Sequence, residues 1–247
     1  MVRKWMLVGL LALLAGCDSG GNAVPEPAPA DPLAQVRAAA AKTAKGSAHV
    51  TLSVPNVEVV GDTDPAGKAL TLTVTTGTGG ETVDSKVRVV GDDAWMTLGS
   101  TYLPNLDPTK FIWFPTSEFA TASLVHLGDT FDPAGIKGFS AAMTAATRTG
   151  EGTYTGTLDF TVAPAKVSRG LLPATAEQLE HHGGVSQSVP YEASVDAQGY
   201  LIALTVTLPT FASTARFSDF GKHVKIDKPS AAEVTEVPDG LRRLLAS

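Results

Sequence analysis

Ala48-His49-Val50-Thr51-Leu52-Ser53-Val54 alternates apolar and polar residues without a break, and Leu70-Thr71-Leu72-Thr73-Val74-Thr75 does so again. A period of two is that of a β-strand with one dry face and one wet face. The run Gly77-Thr78-Gly79-Gly80 reads as a hairpin turn into a strand over 83–90, where Val87 and Val89 continue the dry face. Gly91-Asp92-Asp93 reads as another turn, into 94–98. Further on, Tyr154, Gly156, Leu158, Phe160 and Val162 alternate with Thr153, Thr155, Thr157, Asp159 and Thr161. Strands over 189–195 and 200–208 flank Asp196-Ala197-Gln198-Gly199, with Tyr200, Ile202, Leu204, Val206 and Leu208 on one side. A last hairpin is predicted from 214–220 and 223–226 around Gly221. With a short strand at 110–114, this makes nine or ten strands and no βαβ alternation, which indicates an antiparallel sheet.

Helical patterns are fewer. Asp31 is placed to cap the first-turn amides, Pro32 stands where its missing N–H costs nothing, and Gly46 ends the run. Leu33, Val36, Ala40 and Thr43 or Ala44 give that helix a weakly apolar stripe. Residues 117–127 carry Phe119, Leu124 and Leu127 at helical spacing, and 133–148 carry Ile136, Phe139 and Met143 along one stripe. Residues 164–182 read as a further, mostly helical insertion. Helices laid across the dry face of an antiparallel sheet make an α+β layer arrangement.

The N-terminus carries a different signal. Arg3 and Lys4 precede an almost wholly apolar run from Trp5 to Ala15, the form of a secretory signal peptide. That run is too short to span a bilayer, which takes about 20 residues. It closes on Leu14-Ala15-Gly16-Cys17, which resembles the bacterial lipobox, and Cys17 is the only cysteine, so no intrachain disulfide exists. The resemblance implies cleavage after residue 16 and diacylation of Cys17. Two acyl chains anchor a protein where one is marginal. Residues 17–31, with Gly20, Gly21, Pro25, Pro27 and Pro29, read as an extended tether able to lift a domain roughly 40 Å. A domain over 32–230 and a tail over 231–247 follow.

Loss of Arg3 and Lys4 with the signal takes the formal charge from −6 to −8. An acidic surface repels nucleic acid and anionic headgroups, so attachment to a membrane falls to the lipid. At 43% apolar residues the chain can bury a core.

Catalytic and metal-binding patterns are weak. His181 and His182 are adjacent and about 100° apart on a helix, not the i, i+4 pair that grips a metal. His49 and His126 are isolated, His223 lies near Lys222 and Lys225, and no Gly-x-Ser-x-Gly elbow is present. No enzyme, cofactor or metal is expected. A one-sided sheet under helices can close into a solid core or be held apart around a cavity, and periodicity does not separate the two. In the first case an exposed aromatic patch formed by Tyr102, Phe111, Trp113 and Phe114 would suit a tethered domain that binds a protein or senses a signal.

Several short stretches carry a family resemblance. They are Ser47-Ala48-His49-Val50, Gly156-Thr157-Leu158-Asp159-Phe160, Asp196-Ala197-Gln198-Gly199-Tyr200-Leu201 and Phe217-Ser218-Asp219-Phe220-Gly221-Lys222-His223-Val224-Lys225-Ile226-Asp227-Lys228-Pro229. With the lipobox and the Asp-Pro-Leu helix start, these resemble the actinobacterial LppX/LprAFG lipoproteins over about residues 31–230. The resemblance implies a curved antiparallel half-barrel with helices on its concave face, similar to the LolA/LolB carriers. It also implies a cavity that holds the acyl chains of a lipid or lipoglycan, an anchor in the outer face of the cytoplasmic membrane through Cys17, and an envelope transporter as partner. The lining would come from Val50, Leu52, Val54, Leu72, Val74, Val87, Val89, Leu158, Phe160, Leu204 and Val206 of the sheet, with Phe119, Leu124, Phe139 and Met143 as a movable wall. The sequence departs from the family in a longer insertion at 164–184 and in a continuing tail at 231–247, and no family binding residue is carried over.

Overall fold

The computed structural model describes residues 31–78, 81–98, 107–116, 131–161 and 187–237. All belong to one compact unit that begins at Asp31. The readings on Cys17, Tyr102, residues 117–127, His126, Val162, the 164–182 insertion, His181 and His182 lie outside the described residues.

Helix α1 (Pro32–Thr43) starts as its sequence dictates: Asp31 Oδ1 accepts from the Leu33 amide at 3.1 Å, and Pro32 fills the first position. It buries Val36, Ala39, Ala40 and Thr43. Twelve strands follow: β1 (Ala48–Val54), β2 (Val57–Asp64), β3 (Ala69–Thr78), β4 (Glu81–Val90), β5 (Asp93–Met96), β6 (Phe111–Pro115), β7 (Met143–Gly150), β8 (Thr153–Leu158), β9 (Val189–Val195), β10 (Leu201–Thr207), β11 (Ala212–Ser218) and β12 (Val234–Thr235). A second helix, α2 (Ile136–Ala142), precedes β7. The strands form one sheet in the order β12-β6-β5-β4-β3-β2-β1-β11-β10-β9-β8-β7, open at β12 and β7. Every neighbouring pair is antiparallel except β12 with β6, which is parallel.

Several sequence expectations need correction. Strand β2 was not anticipated; it pairs with β1 through a tight turn at Pro55-Asn56, where Asn56 adopts a left-handed φ of 64°. The helix expected over 133–148 occupies only Ile136–Ala142, because Met143 onward pairs with β8 as the sheet's edge strand. The strand expected over 153–162 ends at Leu158, although Phe160 stays buried, edge-to-face with Phe139 at 6.1 Å. The last hairpin does not form. β11 already has β10 on one side and β1 on the other, so residues 223–226 find no free edge.

A bulge between Leu201 and Ala203 corrects the face predicted for β10: Leu201 is sealed in the core and Ile202 is half-buried. A bulge interrupts the ladder, and a side chain of α1 supplies the missing bonds. Thr43 Oγ1 donates to the Leu201 carbonyl at 3.2 Å and accepts from the Leu201 amide at 2.9 Å. The same helix reaches the far edge, where Arg37 donates to the Met143 carbonyl at 2.6 Å and Gln35 Oε1 accepts from the Tyr154 hydroxyl at 2.5 Å. Buried Asp132 caps α2, accepting from the Ile136 and Lys137 amides at 2.9 Å each. Thr63 of β2 holds the chain just before α2 by donating to the Phe131 carbonyl at 2.9 Å.

Residues 222–230 run from Ser47, whose hydroxyl donates to the Lys222 carbonyl at 2.7 Å, to the Asp93 end of β5. There Asp93 accepts from Lys228 Nζ at 2.6 Å and from Trp113 Nε1 at 2.9 Å, while the ammonium lies 5.5 Å from the Trp95 ring centroid. The Lys228 hydrogen bond, then that from Trp113, holds the Asp93 carboxyl below the usual carboxylate range.

Thr43→Val should lose roughly 2–4 kcal/mol, because two buried backbone groups lose their partner at about 1–3 kcal/mol each, whereas Thr43→Ser should lose only about 1 kcal/mol for the methyl; urea denaturation of the two variants compares them. Because the folded-state pKa of Asp93 lies below its unfolded value of about 3.9, its contribution is complete above that value and is lost as pH falls through the folded value. Tryptophan fluorescence should therefore hold steady from pH 7 to about 5 and change only below about 4, and a transition between 5 and 7 would contradict the assignment.

Candidate functional site

The pairing register stacks the dry-face residues in rows. Val50, Gly61, Leu72, Val87, Met96 and Ile112 form one row across six strands. Leu52, Val59, Val74 and Ser85 form the next, and Val54, Val57, Thr76 and Val83 the third. Beyond β1 the face continues through Phe217, Ala215 and Ser213, then Leu204 and Val206, then Val189, Tyr191 and Ala193, then Tyr154, Gly156 and Leu158. Gly156 is required where it stands, since a Cβ there would run into the Ala145 carbonyl oxygen and the Tyr191 ring.

Burial along this face is graded. In the first row Val50, Val87 and Ile112 are 0% exposed. In the second, Leu52 and Val59 are buried but Val74 and Ser85 are half-buried, and in the third all four residues are half-buried. The apolar face is therefore sealed towards Ala48, Leu70 and Ala94 and meets solvent at a rim of valine and threonine. Its sealed side lies towards Thr63 and the chain entering α2, while α1 covers β7, β9 and β10.

The inner rows of the face are also uncharged. Among the described residues of strands β1–β6 and β8–β11, no Asp, Glu, Lys or Arg falls in the rows that run from Ala48 to Val54; Glu81 pairs with Thr78 one row beyond the rim, and Arg148 is exposed on edge strand β7. The Tyr191 hydroxyl, pushed up to about 12 by burial, stays neutral and donates to the Ala145 carbonyl at 3.0 Å. Such a surface can hold an apolar body by excluding water; it offers no nucleophile paired with a base.

Of the residues singled out from the sequence, Val50, Leu52, Leu72, Val87, Val89, Phe139, Met143, Leu158, Phe160, Leu204 and Val206 are buried, and Val54 and Val74 are half-buried nearer the rim. Phe119 and Leu124 lie outside the described residues. Sequence reading missed Val57 and Val59 with their strand, although Val57-x-Val59 alternates, and it missed Leu201, Tyr191 and Ser213. On the opposite face, His49 Nδ1 lies 2.8 Å from Asp62 Oδ1 and Trp113 is 43% exposed, the one exposed large apolar side chain among the described residues.

No family model matches the sequence, and no curated protein does. Solved structures do. LprF from Mycobacterium bovis matches with a TM-score of 0.52 at 12% identity, over 81% of this chain and 97% of that one. The Mycobacterium tuberculosis lipoprotein LppX matches with a TM-score of 0.45 at 17% identity, over 79% of this chain and 97% of that one. The first of these, at its low identity, is a likeness of architecture, and the chain has the fold of LprF: one open, almost wholly antiparallel sheet with helices on its apolar face.

Proposed function

We propose that this chain is a cell-envelope lipoprotein of the LppX/LprAFG kind, which holds the acyl chains of a lipid or lipoglycan against the apolar face of its sheet and carries or presents them. The observation that carries the reading is the face itself: apolar and uncharged across its inner rows, sealed at one side and open at a rim formed by Val54, Val57, Thr76 and Val83. The fold of LprF supports it. Mechanism is passive on this reading. Acyl chains enter at the rim and replace the helical cover over Val50, Leu52, Leu72, Val74, Leu158, Phe160, Leu204 and Val206. Each Å² of apolar surface kept from water contributes about 25 cal/mol. Phe139, on α2, belongs to that movable cover, whereas Met143 pairs with Leu158 and belongs to the sheet. Diacylated Cys17 would fix the domain to the outer face of the cytoplasmic membrane, the 17–31 tether would let it reach outward, and an envelope transporter would supply or receive the cargo.

One observation favours the alternative of a tethered, protein-binding domain with a filled core. Val50, Val87, Val89, Leu204 and Val206 are all 0% exposed. On the carrier reading these are the side chains from which entering acyl chains displace the cover.

The two readings separate on one measurement. The full chain carrying Cys17→Ser, purified from a bacterial host without detergent, should show by native mass spectrometry a bound species of lipid mass, or acquire one from phospholipid vesicles. A chain that copurifies with no lipid and takes none up would favour the filled core.

A further inference from the structure

Ser213 is the side chain on the apolar face that packing alone does not explain. It is 0% exposed, and its Oγ has no hydrogen-bond partner among the described residues. Other hydroxyls on the same face are engaged within the protein: Thr63 donates to the Phe131 carbonyl at 2.9 Å, Thr76 to the Val83 carbonyl at 3.3 Å, Tyr191 to the Ala145 carbonyl at 3.0 Å and Tyr154 to Gln35 at 2.5 Å. Ser85, in the second row, is half-buried. A buried, unpaired hydroxyl costs free energy that alanine would not, so an apolar position keeps one at a disadvantage unless something pairs with it in another state.

Its place in the register says what that state is. Ser213 pairs with Val206 of β10, and on β1 it stands one residue beyond the Ser53–Thr214 pair, beside Val54 of the rim. A chain sliding in past Val54 and Val57 therefore meets this hydroxyl first. Methylenes cannot use it, and no cation or carboxylate stands nearby on the described face to bind a charged headgroup. An ester or amide carbonyl is the neutral acceptor that sits where an acyl chain joins its headgroup. We infer that Ser213 Oγ donates to that linkage carbonyl, which fixes how deep the acyl chains run and selects acyl lipids over ether-linked ones. This rests on the lipid-carrier reading above.

The test uses the full chain carrying Cys17→Ser, with and without Ser213→Ala, and two probes offered together from cyclodextrin: dipalmitoylglycerol and its ether analogue dihexadecylglycerol. By native mass spectrometry, the parent chain should retain the ester about three- to tenfold over the ether. Ser213→Ala should retain the two about equally, with uptake of the ether unchanged. An equal ratio in the parent, or a preference that survives Ser213→Ala, overturns the inference and leaves lipid carriage standing. Uptake of neither probe by the parent overturns both. A second readout needs no lipid: unloaded Ser213→Ala should melt about 2–4 °C higher than its parent. A lower melting temperature would mean that the hydroxyl has a structural partner, and would overturn the inference.

Discussion

An open sheet of twelve strands that keeps one face apolar has to take that face out of water, and the rest of the structure answers to that demand. Period-two side chains in an unbroken register place Val50, Leu72 and Val87 in one row, so the face is continuous from strand to strand and not a set of separate patches. Two short helices are the cover among the described residues. α2 buries Ile136 and Phe139, but α1 has little apolar surface of its own and buries only Val36, Ala39, Ala40 and Thr43. What locates α1 is polar, through Thr43 at the β10 bulge, Arg37 on Met143 and Gln35 on Tyr154. A cover pinned by a few hydrogen bonds at its ends and packed through small side chains is easier to displace than one locked by large interdigitating residues.

Much of this fold was legible in the sequence where one local signal was strong. Asp31-Pro32 fixed the start of α1, and clean alternation fixed β1, β3 and the dry side of β8. Failures came where tertiary pairing overrides local pattern. In β2 the alternation is blurred, since Val60 is apolar on the wet side while Gly61 and Thr63 occupy dry positions. Residues 141–146 are rich in alanine and read as helix, yet from Met143 onward they pair with β8 as strand. The bulge at Leu201 shifts the face of β10 by one residue, and its compensation comes from Thr43, 158 residues away in sequence. The hairpin expected after Phe220 failed because sheet order, which no local pattern records, had already filled both edges of β11.

The candidate site was legible to a similar depth. Apolar residues on the dry face could be named in advance because periodicity assigns the face. The gradient from sealed row to open rim could not, since burial depends on where the helices lie. Ser213 was hidden for a related reason: a serine at the start of a strand reads as a turn residue, and only the register with Val206 shows it on the apolar side. The separation also bears on function. A face that is apolar by period alone suits a solid core as well as a cargo site, and what favours cargo is the rim together with an unpaired hydroxyl just inside it.

The central claim is that acyl chains lie against this one face of the sheet. Photolabelling of the Cys17→Ser chain with a palmitate analogue bearing a diazirine in mid-chain, followed by peptide mapping, tests it directly. The account predicts adducts on peptides that contain Val54, Val57 and Val74, and on those that contain Leu204 and Val206. Adducts confined to the opposite face, such as at Trp113, or no adducts at all, would contradict it.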